Sequence, residues 1–170
     1  MLGLKLSGPN KSQKEQYNLA LIGLGSNIEP DHNLPTALNL LSELTHLIER
    51  SFIWKSRAVG SSGPDYLNAA ALIETSLSYD ELKSDVLSVI ETRLGRVRSV
   101  NKYMDRTIDL DVLVYNGREM DPELWTQAHV AVPAAQLLPD LRNTDTGETL
   151  AASAKRLSKK ADLEKIKDLT

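Results

Sequence analysis

Apolar and polar residues are arranged along the first two thirds of the chain in a way that predicts alternating strands and helices. An apolar run over 17–24 has the length of a strand, and turn-forming residues follow it at 25–27. Apolar residues then recur at three- and four-residue spacing, which predicts a helix over 33–47. Asn33 is suited to cap this helix, and Pro35 falls in its first turn.

The pattern continues through two strands, a second helix and a fourth strand. β-branched and aromatic residues predict strands over 48–59 and 66–75, paired antiparallel across a Gly/Ser-rich loop. An apolar stripe predicts a helix over 80–94 that stops at Gly95, and a last strand is predicted over 107–115. The resulting order, βαββαβ, predicts an α+β fold with a ferredoxin-like core and an antiparallel sheet.

The last third of the chain has a less regular pattern. We predict a short strand within 121–132 and one helical turn over 133–138. Additional C-terminal helices are predicted over 148–157 and 159–169, the second of them highly charged.

Length and composition indicate one ordinary globular domain. A chain of 170 residues normally forms a single domain. We assign this domain to 17–157, with 1–16 as a flexible N-terminal extension and 158–170 as a charged C-terminal helix or tail.

Charge and residue content exclude several classes of function. The net charge of −3 gives no global basic field for nucleic acid. The absence of cysteine excludes disulfides, thiolate zinc sites and a cysteine nucleophile. No apolar run is long enough to span a bilayer, and the N-terminus does not resemble a signal peptide. We therefore expect a cytoplasmic protein without membrane or nucleic-acid partners, either a monomer or a weak dimer.

The strand predicted over 107–115 carries two carboxylates on one face. Side chains alternate along a strand, so Asp109 and Asp111 share a face while Ile108, Leu110 and Val112 lie on the other. Two like charges about 7 Å apart repel unless a cation lies near them. A divalent metal ion or an arginine would supply that cation. A solvated strand edge is the alternative interpretation.

A group of basic residues precedes this strand. It consists of Arg93, Arg96, Arg98, Lys102 and Arg106. Guanidinium groups bind phosphate oxygens in a two-pronged manner and remain charged. An exposed basic loop is the alternative for these residues taken alone. Together with the acidic pair, they indicate a site for magnesium and a polyphosphate.

Tyr66 and Asn68 share one face of the strand predicted over 66–75. An aromatic ring beside an amide can form a pocket for a flat heterocycle, because the ring stacks and the amide reads edge donors and acceptors. A core tyrosine beside a satisfied asparagine is an equally good interpretation. His32, His46 and His129 lack metal-ligand spacing, and we assign them no role.

Several blocks, in the same order along the chain, resemble the 6-hydroxymethyl-7,8-dihydropterin pyrophosphokinase family of folate biosynthesis. The likeness runs from about residue 19 to residue 115. Its blocks are Gly23-Leu24-Gly25-Ser26-Asn27, Pro64-Asp65-Tyr66-Leu67-Asn68-Ala69-Ala70, Glu74-Thr75-Ser76-Leu77, Ile90-Glu91, Gly95-Arg96-Val97-Arg98 and Arg106-Thr107-Ile108-Asp109-Leu110-Asp111.

The resemblance implies a fold, a reaction and a set of site residues. The family fold is ferredoxin-like, and the reaction transfers the β,γ-diphosphate of ATP to a reduced pterin alcohol and releases AMP. Asp109 and Asp111 would hold two Mg²⁺ ions, and the catalytic group would comprise Arg96, Arg106 and Asp109. The implied nucleotide-binding residues are Glu91, Arg98, Lys102, Arg106 and Val112, and the implied pterin-binding residues are Ser56, Val59, Tyr66, Asn68 and Tyr103.

This chain departs from the family pattern at several points. Where the family has Trp-Gly-Pro-Arg, the chain has Tyr103-Met104-Asp105-Arg106. Family members follow Val-Pro with a histidine, an arginine and an aromatic that covers the pterin, but Val132-Pro133 here leads into 134–139 without them. His129 precedes that motif, so we do not give it the role. A paralogue that binds nucleotide or pterin without catalysis, or with a shifted substrate, is the alternative function.

Overall fold

The protein is described by a computed structural model over residues 17–58, 63–97 and 105–166. Its strands are β1 (Asn18–Ser26), β2 (His46–Arg50), β3 (Ile53–Ser56), β4 (Tyr66–Thr75), β5 (Asp109–Tyr115), β6 (Arg118–Glu119) and β7 (Leu163–Ile166). Its α-helices are α1 (Pro30–Leu44), α2 (Tyr79–Glu81), α3 (Ser88–Arg93), α4 (Ala128–Leu137) and α5 (Leu150–Ser158). A π-helical segment, Leu82–Leu87, joins α2 to α3, and a 3-10 helix spans Pro122–Trp125.

The strands form one antiparallel sheet with β1 at its centre. The order is β6-β5-β1-β4-β3-β7, and β2 also pairs with β4. β1 pairs along its whole length with β4 and with most of β5. This arrangement confirms the predicted ferredoxin-like α+β fold, including the antiparallel pairing of the second and third predicted strands.

One face of the sheet packs against helices. Alternate residues of β1, β4 and β5 point to this face and pack against α1 and the continuous helical stretch from α2 to α3. Burial of such apolar side chains is the main favourable contribution to folding, and each large one contributes about 1.5–3 kcal/mol. The fully buried members include Ile22, Leu38, Ile73, Ile90 and Ile108.

The other face of the sheet is only partly covered. α4, α5 and the 3-10 helix pack on Leu21, Ala70 and Leu113 and form a second core with them. Closer to the end of β1, this face carries Gly23 and Gly25, and both line an open cleft. The uncovered part of the face leaves a cleft beside the N-terminal end of α4.

The start of α1 differs from the prediction. The helix begins at Pro30, because Glu29 adopts a left-handed conformation with φ of 43° and the fixed φ of proline suits the first helical position. Asn33 is therefore not the cap. It is buried within the helix, where its side chain donates a hydrogen bond to the carbonyl oxygen of Ile28 at 2.7 Å.

The strand predicted over 48–59 is divided in two. β2 ends at Arg50 and β3 begins at Ile53, with a buried Ser51 between them. The Ser51 hydroxyl accepts a hydrogen bond from the backbone N–H of Ala70, so a side chain replaces part of the strand ladder at this break.

The predictions for the last third of the chain are wrong in two places. The region 121–132 contains the 3-10 helix and the start of α4 instead of a strand. The region predicted as a charged helix over 159–169 contains β7, whose backbone pairs with β3 and extends the sheet. The extension predicted over 1–16 lies outside the described residues. Among the helices within the described ranges, none has the length and apolar character to cross a membrane.

Candidate functional site

A cleft of about 640 Å³ lies on the uncovered part of the sheet. Its floor is formed by β1, β4 and β5, and one of its walls by the segment that leads from the 3-10 helix into α4. The side chains that carry its chemistry are Tyr66, Asn68, Arg96, Arg106, Asp109, Asp111 and His129. The fold therefore brings residues far apart in sequence to one open surface.

The two glycines of β1 at the floor of the cleft have different surroundings: Gly25 leaves space beside Asn68, whereas Gly23 makes room for the buried Leu113 side chain. Gly23 pairs with Asp111 and Gly25 pairs with Asp109, so each glycine lies beside one of the acids. On its other side, Gly25 pairs with Asn68. A Cβ atom at residue 25 would lie 3.4 Å from the Asn68 Oδ1 atom, so a methyl group fits the fold but occupies cleft space.

Asp109 and Asp111 share the cleft face of β5, as predicted from strand alternation. The intervening Leu110 and the following Val112 are buried in the opposite core. Although Asp111 retains solvent contact, surrounding protein removes much of its hydration, and Asp109, Asp121 and Glu91 add negative charge. Desolvation first, then these charges, raise the pKa of Asp111 to about 7, against the opposing effect of Arg96.

Asp109 lies between two arginines. Its Oδ1 atom accepts a hydrogen bond from Arg96, and its Oδ2 atom accepts one from Arg106. Both arginine side chains are largely buried, with 17% and 27% of their surface exposed. Of the two kinds of cation expected beside the acidic pair, a metal ion or an arginine, the structure places arginine beside Asp109. Both arginines line the cleft.

Glu91 holds the Arg96 side chain in place. Its side chain is 7% exposed, and its Oε1 atom accepts hydrogen bonds from Arg96 Nη1 at 2.5 Å and from the backbone N–H of Leu110 at 3.0 Å. A buried carboxylate needs such partners, because an unpaired buried charge is costly. Glu91 therefore ties the end of α3 to β5 and holds Arg96 beside Asp109.

The acidic pair has the donor chemistry that Mg²⁺ requires. Within the described ranges, no residue donates a hydrogen bond to the Asp111 carboxylate, and Asp109, Asp121 and Glu91 place negative charge around it against the positive charge of Arg96. The same ranges contain no group of three or more His, Asp or Glu side chains that could hold a metal ion. Mg²⁺ does not need such a group, since it is commonly bound by one or two carboxylates together with waters and substrate phosphates.

Tyr66, Asn68 and Ser56 meet at the end of the cleft near β3. Asn68 is 4% exposed, and its Nδ2 atom donates to Ser56 Oγ at 2.9 Å and to the Trp54 carbonyl oxygen at 3.3 Å. Partial burial raises the pKa of Tyr66 above its usual value, and Arg106 opposes this shift. The phenol therefore stays protonated at neutral pH. These two hydrogen bonds from the Asn68 Nδ2 atom orientate the amide where it borders the cleft.

Other predicted site residues do not line the cleft or lie outside the described ranges. The Val112 side chain is buried in the core on the opposite face of the sheet. Glu91 lies beneath Arg96 instead of at the open surface. The predictions for Val59, Arg98, Lys102 and Tyr103 fall outside the described residues.

The sequence predicts no site residue on the wall formed by the start of α4. Gln127, His129 and Val130 line the cleft, and Asp121 and Glu123 lie on the same wall. Burial lowers the pKa of His129, so its imidazole is neutral at pH 7. The resemblance places the missing residues after Val132-Pro133, but Pro133 is buried inside α4, and Gln127, His129 and Val130 before it line the cleft. His129, a polar residue at the start of an otherwise apolar helix, is the signal in the sequence that could have indicated this wall.

Comparison with known sequences identifies a family that these residues resemble. The sequence model of the family described as 7,8-dihydro-6-hydroxymethylpterin-pyrophosphokinase matches residues 21–139. A 2-amino-4-hydroxy-6-hydroxymethyldihydropteridine pyrophosphokinase of Haemophilus influenzae is 40% identical over 134 residues, covering 72% of this chain and 82% of that protein. The protein of the same name from a Synechocystis species is 35% identical over 147 residues, covering 80% and 74% respectively.

Comparison with solved structures supports the fold. The Plasmodium falciparum HPPK-DHPS with pteroate has a TM-score of 0.63 at 11% identity, and the match covers 89% of this chain and 43% of that chain. A structure described as HPPK-DHPS in complex with substrates has a TM-score of 0.65 at 10% identity, with 85% and 44% covered. The chain therefore spans less than half of these larger proteins and shares the architecture of one part of them.

Proposed function

Because this chain belongs to the 7,8-dihydro-6-hydroxymethylpterin-pyrophosphokinase family, an ATP-dependent enzyme family of folate biosynthesis, we propose that the cleft is its active site. The reaction transfers the diphosphate of ATP to the hydroxymethyl group of the dihydropterin and releases AMP. One observation carries the assignment to this cleft. Two carboxylates, two arginines and a tyrosine-asparagine pair, from separate parts of the chain, face the same open space.

Asp109 and Asp111 are the proposed magnesium ligands. Their oxygens are hard donors, and the negative charge around Asp111 favours a divalent cation. When bound, magnesium neutralises charge on the ATP phosphates and holds them for transfer. We propose two ions, which the pair would bind together with phosphate oxygens. Asp109 is also proposed to receive or relay the hydroxyl proton.

Arg96 and Arg106 are the proposed phosphate-binding groups. Both contact Asp109 in this structure, so they lie at the acidic end of the cleft. Their guanidinium groups would contact the phosphates of ATP and stabilise the charge on the transferred group. Glu91 acts through Arg96, because its carboxylate contacts that arginine at the base of the cleft.

The opposite end of the cleft is the proposed pterin site. Asn68 and Ser56 would read the polar edge of the ring, while the missing side chain at Gly25 leaves room for it. Tyr66 and His129 provide the two rings among the described cleft-lining residues. His129 is the proposed replacement for the aromatic residue that is missing after Val132-Pro133, and it lies on α4 instead of in a following loop.

Product analysis tests the proposed function. The purified chain, incubated with ATP, Mg²⁺ and 6-hydroxymethyl-7,8-dihydropterin, should form AMP in proportion to the diphosphorylated pterin. Formation of ADP as the sole nucleotide product would contradict the diphosphate transfer.

A binding protein without catalysis is the second candidate function, and the composition of the α4 wall favours it. The described part of that wall carries no arginine and consists of Asp121, Glu123, Gln127, His129 and Val130. Tight binding of a nucleotide analogue and of the pterin by calorimetry, with no turnover, would support this candidate. Turnover with a different pterin alcohol in a small panel would instead indicate a shifted substrate.

Gly25→Ala should weaken pterin binding without unfolding the protein. The added methyl group would meet Asn68 Oδ1 at 3.4 Å, which the strand tolerates, but it would stand on the cleft floor. We expect the KM for the pterin to rise at least about fivefold, as expected for overpacking of a close-fitting site. Steady-state kinetics and a urea unfolding midpoint measure the two effects. An unchanged KM would contradict the placement of the pterin on this floor.

His129→Ala should weaken pterin binding about three- to tenfold, which is the value of one ring-ring contact. His129→Phe should keep the affinity, because the phenyl ring preserves the stacking surface. His46→Ala is the matched control, since His46 is exposed on β2 and does not line the cleft. Fluorescence titration of the pterin measures the dissociation constants. Equal affinities for the alanine variant and the unmodified protein would contradict the assignment.

A further inference from the structure

Asn27 connects the end of β1 to the segment that leads into β5. The residue is only 4% exposed. Its side-chain Oδ1 atom accepts a hydrogen bond from the backbone N–H of Arg106 at 2.7 Å. Its Nδ2 atom donates to the carboxylate of Asp105 at 2.7 Å. One buried amide therefore binds two consecutive residues, Asp105 and Arg106, of which Arg106 lies three positions before Asp109.

The backbone holds Arg106 from the other side as well. The N–H groups of Asn27 and Ile28 both donate to the Arg106 carbonyl oxygen at 3.1 Å. With its own N–H bound to the Asn27 side chain, Arg106 has both of its main-chain polar groups fixed by the same turn. Its guanidinium group then reaches Asp109 from a defined position.

Asp105 is the close acceptor for the Asn27 amide group. Apart from Asp105, Nδ2 also donates to the Pro64 carbonyl oxygen, at the longer distance of 3.5 Å. A hydrogen bond to a charged acceptor is stronger than one between neutral groups. This carboxylate therefore sets the orientation of the amide whose other end, Oδ1, holds Arg106.

Asp105 stands where the resembling family has a proline. A proline restricts the backbone through its fixed φ, and an aspartate cannot do so. In this chain a side-chain acceptor occupies the position and contacts Asn27 instead. In this chain the contact of Asp105 with Asn27 therefore adds a side-chain restraint on the turn that holds Arg106.

We propose that Asp105 is a positioning residue that acts through Asn27 to orientate Arg106 for phosphate transfer. The proposal rests on the proposed function of Arg106. Asp105→Ala should lower kcat about tenfold, the loss expected when a hydrogen bond to a charged group is removed. The KM for the pterin should change less than twofold, because Asp105 does not line the cleft. Asp105→Asn should retain most of the activity, since its amide oxygen can still accept from Asn27.

The control is Asp145→Ala, which removes the same charge from an exposed turn away from the cleft and should leave kcat unchanged. Activity of Asp105→Ala within twofold of the unmodified protein would overturn the proposal. Loss of activity in Asp105→Asn equal to that in Asp105→Ala would also overturn it, because the hydrogen-bond acceptor would then be irrelevant.

Hydrogen exchange at the Arg106 amide tests the same contact without any assay of turnover. In Asp105→Ala this amide should exchange about tenfold faster, while core amides of β1 keep their rates. Unchanged exchange would contradict the proposal. If the unmodified protein forms no AMP, the proposed function fails, but the exchange result still decides whether Asp105 orders Arg106.

Discussion

Asp111→Asn is expected to reduce magnesium-dependent AMP formation by about a thousandfold or more while the fold stays intact. The change removes one of two proposed metal ligands and preserves side-chain volume, and metal and charge stabilisation supply most of the catalysis in phosphoryl transfer. Steady-state rates at saturating ATP measure the loss. Asp109→Ala should lose a similar amount. Near-normal turnover in either variant would contradict the proposal that the acidic pair binds the metal ions.

The same substitution should stabilise the protein in the absence of metal at alkaline pH. Since the pKa of Asp111 is about 7 in the folded state and ordinary in the unfolded state, ionisation opposes folding as pH rises from about 4 to about 7. Asparagine removes this cost, so the variant should exceed the unmodified protein in unfolding free energy by about 1 kcal/mol at pH 8, allowing for solvent screening.

At pH 4 the advantage of the variant should largely disappear, because Asp111 is then protonated in the folded protein. Urea unfolding at both pH values measures the difference, with Asp145→Asn as the exposed control. A variant that is equally stabilised at both pH values would show that the unfavourable charge on Asp111 is not the cause.

Arg106→Ala is expected to lower kcat by about a thousandfold, the lower end of the range for an arginine that contacts the transferred phosphoryl group. Arg106→Lys should recover only part of this loss, because an ammonium group cannot make the two-pronged contact. Arg118→Ala is the control, since Arg118 lies on the edge strand β6 and does not line the cleft. Full activity in Arg106→Ala would contradict the proposed phosphate-binding role of Arg106.

The elements predicted correctly are those whose periodicity follows from local sequence. β4 and the strand face that carries Asp109 and Asp111 follow from simple alternation, because one side of the sheet is continuously apolar. The stop at Gly95 is also local, since φ of 73° favours glycine.

The elements missed depend on contacts between distant parts of the chain. β7 is a strand only because Leu163 and Ile166 pair with β3, more than a hundred residues away, and its charged sequence otherwise suits a helix. His129 reaches the cleft because α4 packs on Ala70 and Leu21, which the sequence of α4 alone does not reveal. The contact between Asn27 and Asp105 similarly joins two turns separated by 78 positions.

The most direct test of the acidic pair is a crystal structure with Mn²⁺ in place of Mg²⁺, a non-hydrolysable ATP analogue and the pterin. Anomalous scattering should place metal between the phosphates and the carboxylates of Asp109 and Asp111, with Arg96 and Arg106 turned towards the phosphates. Density for the analogue with no metal at these carboxylates, and Asp109 still bound to both arginines, would contradict the account.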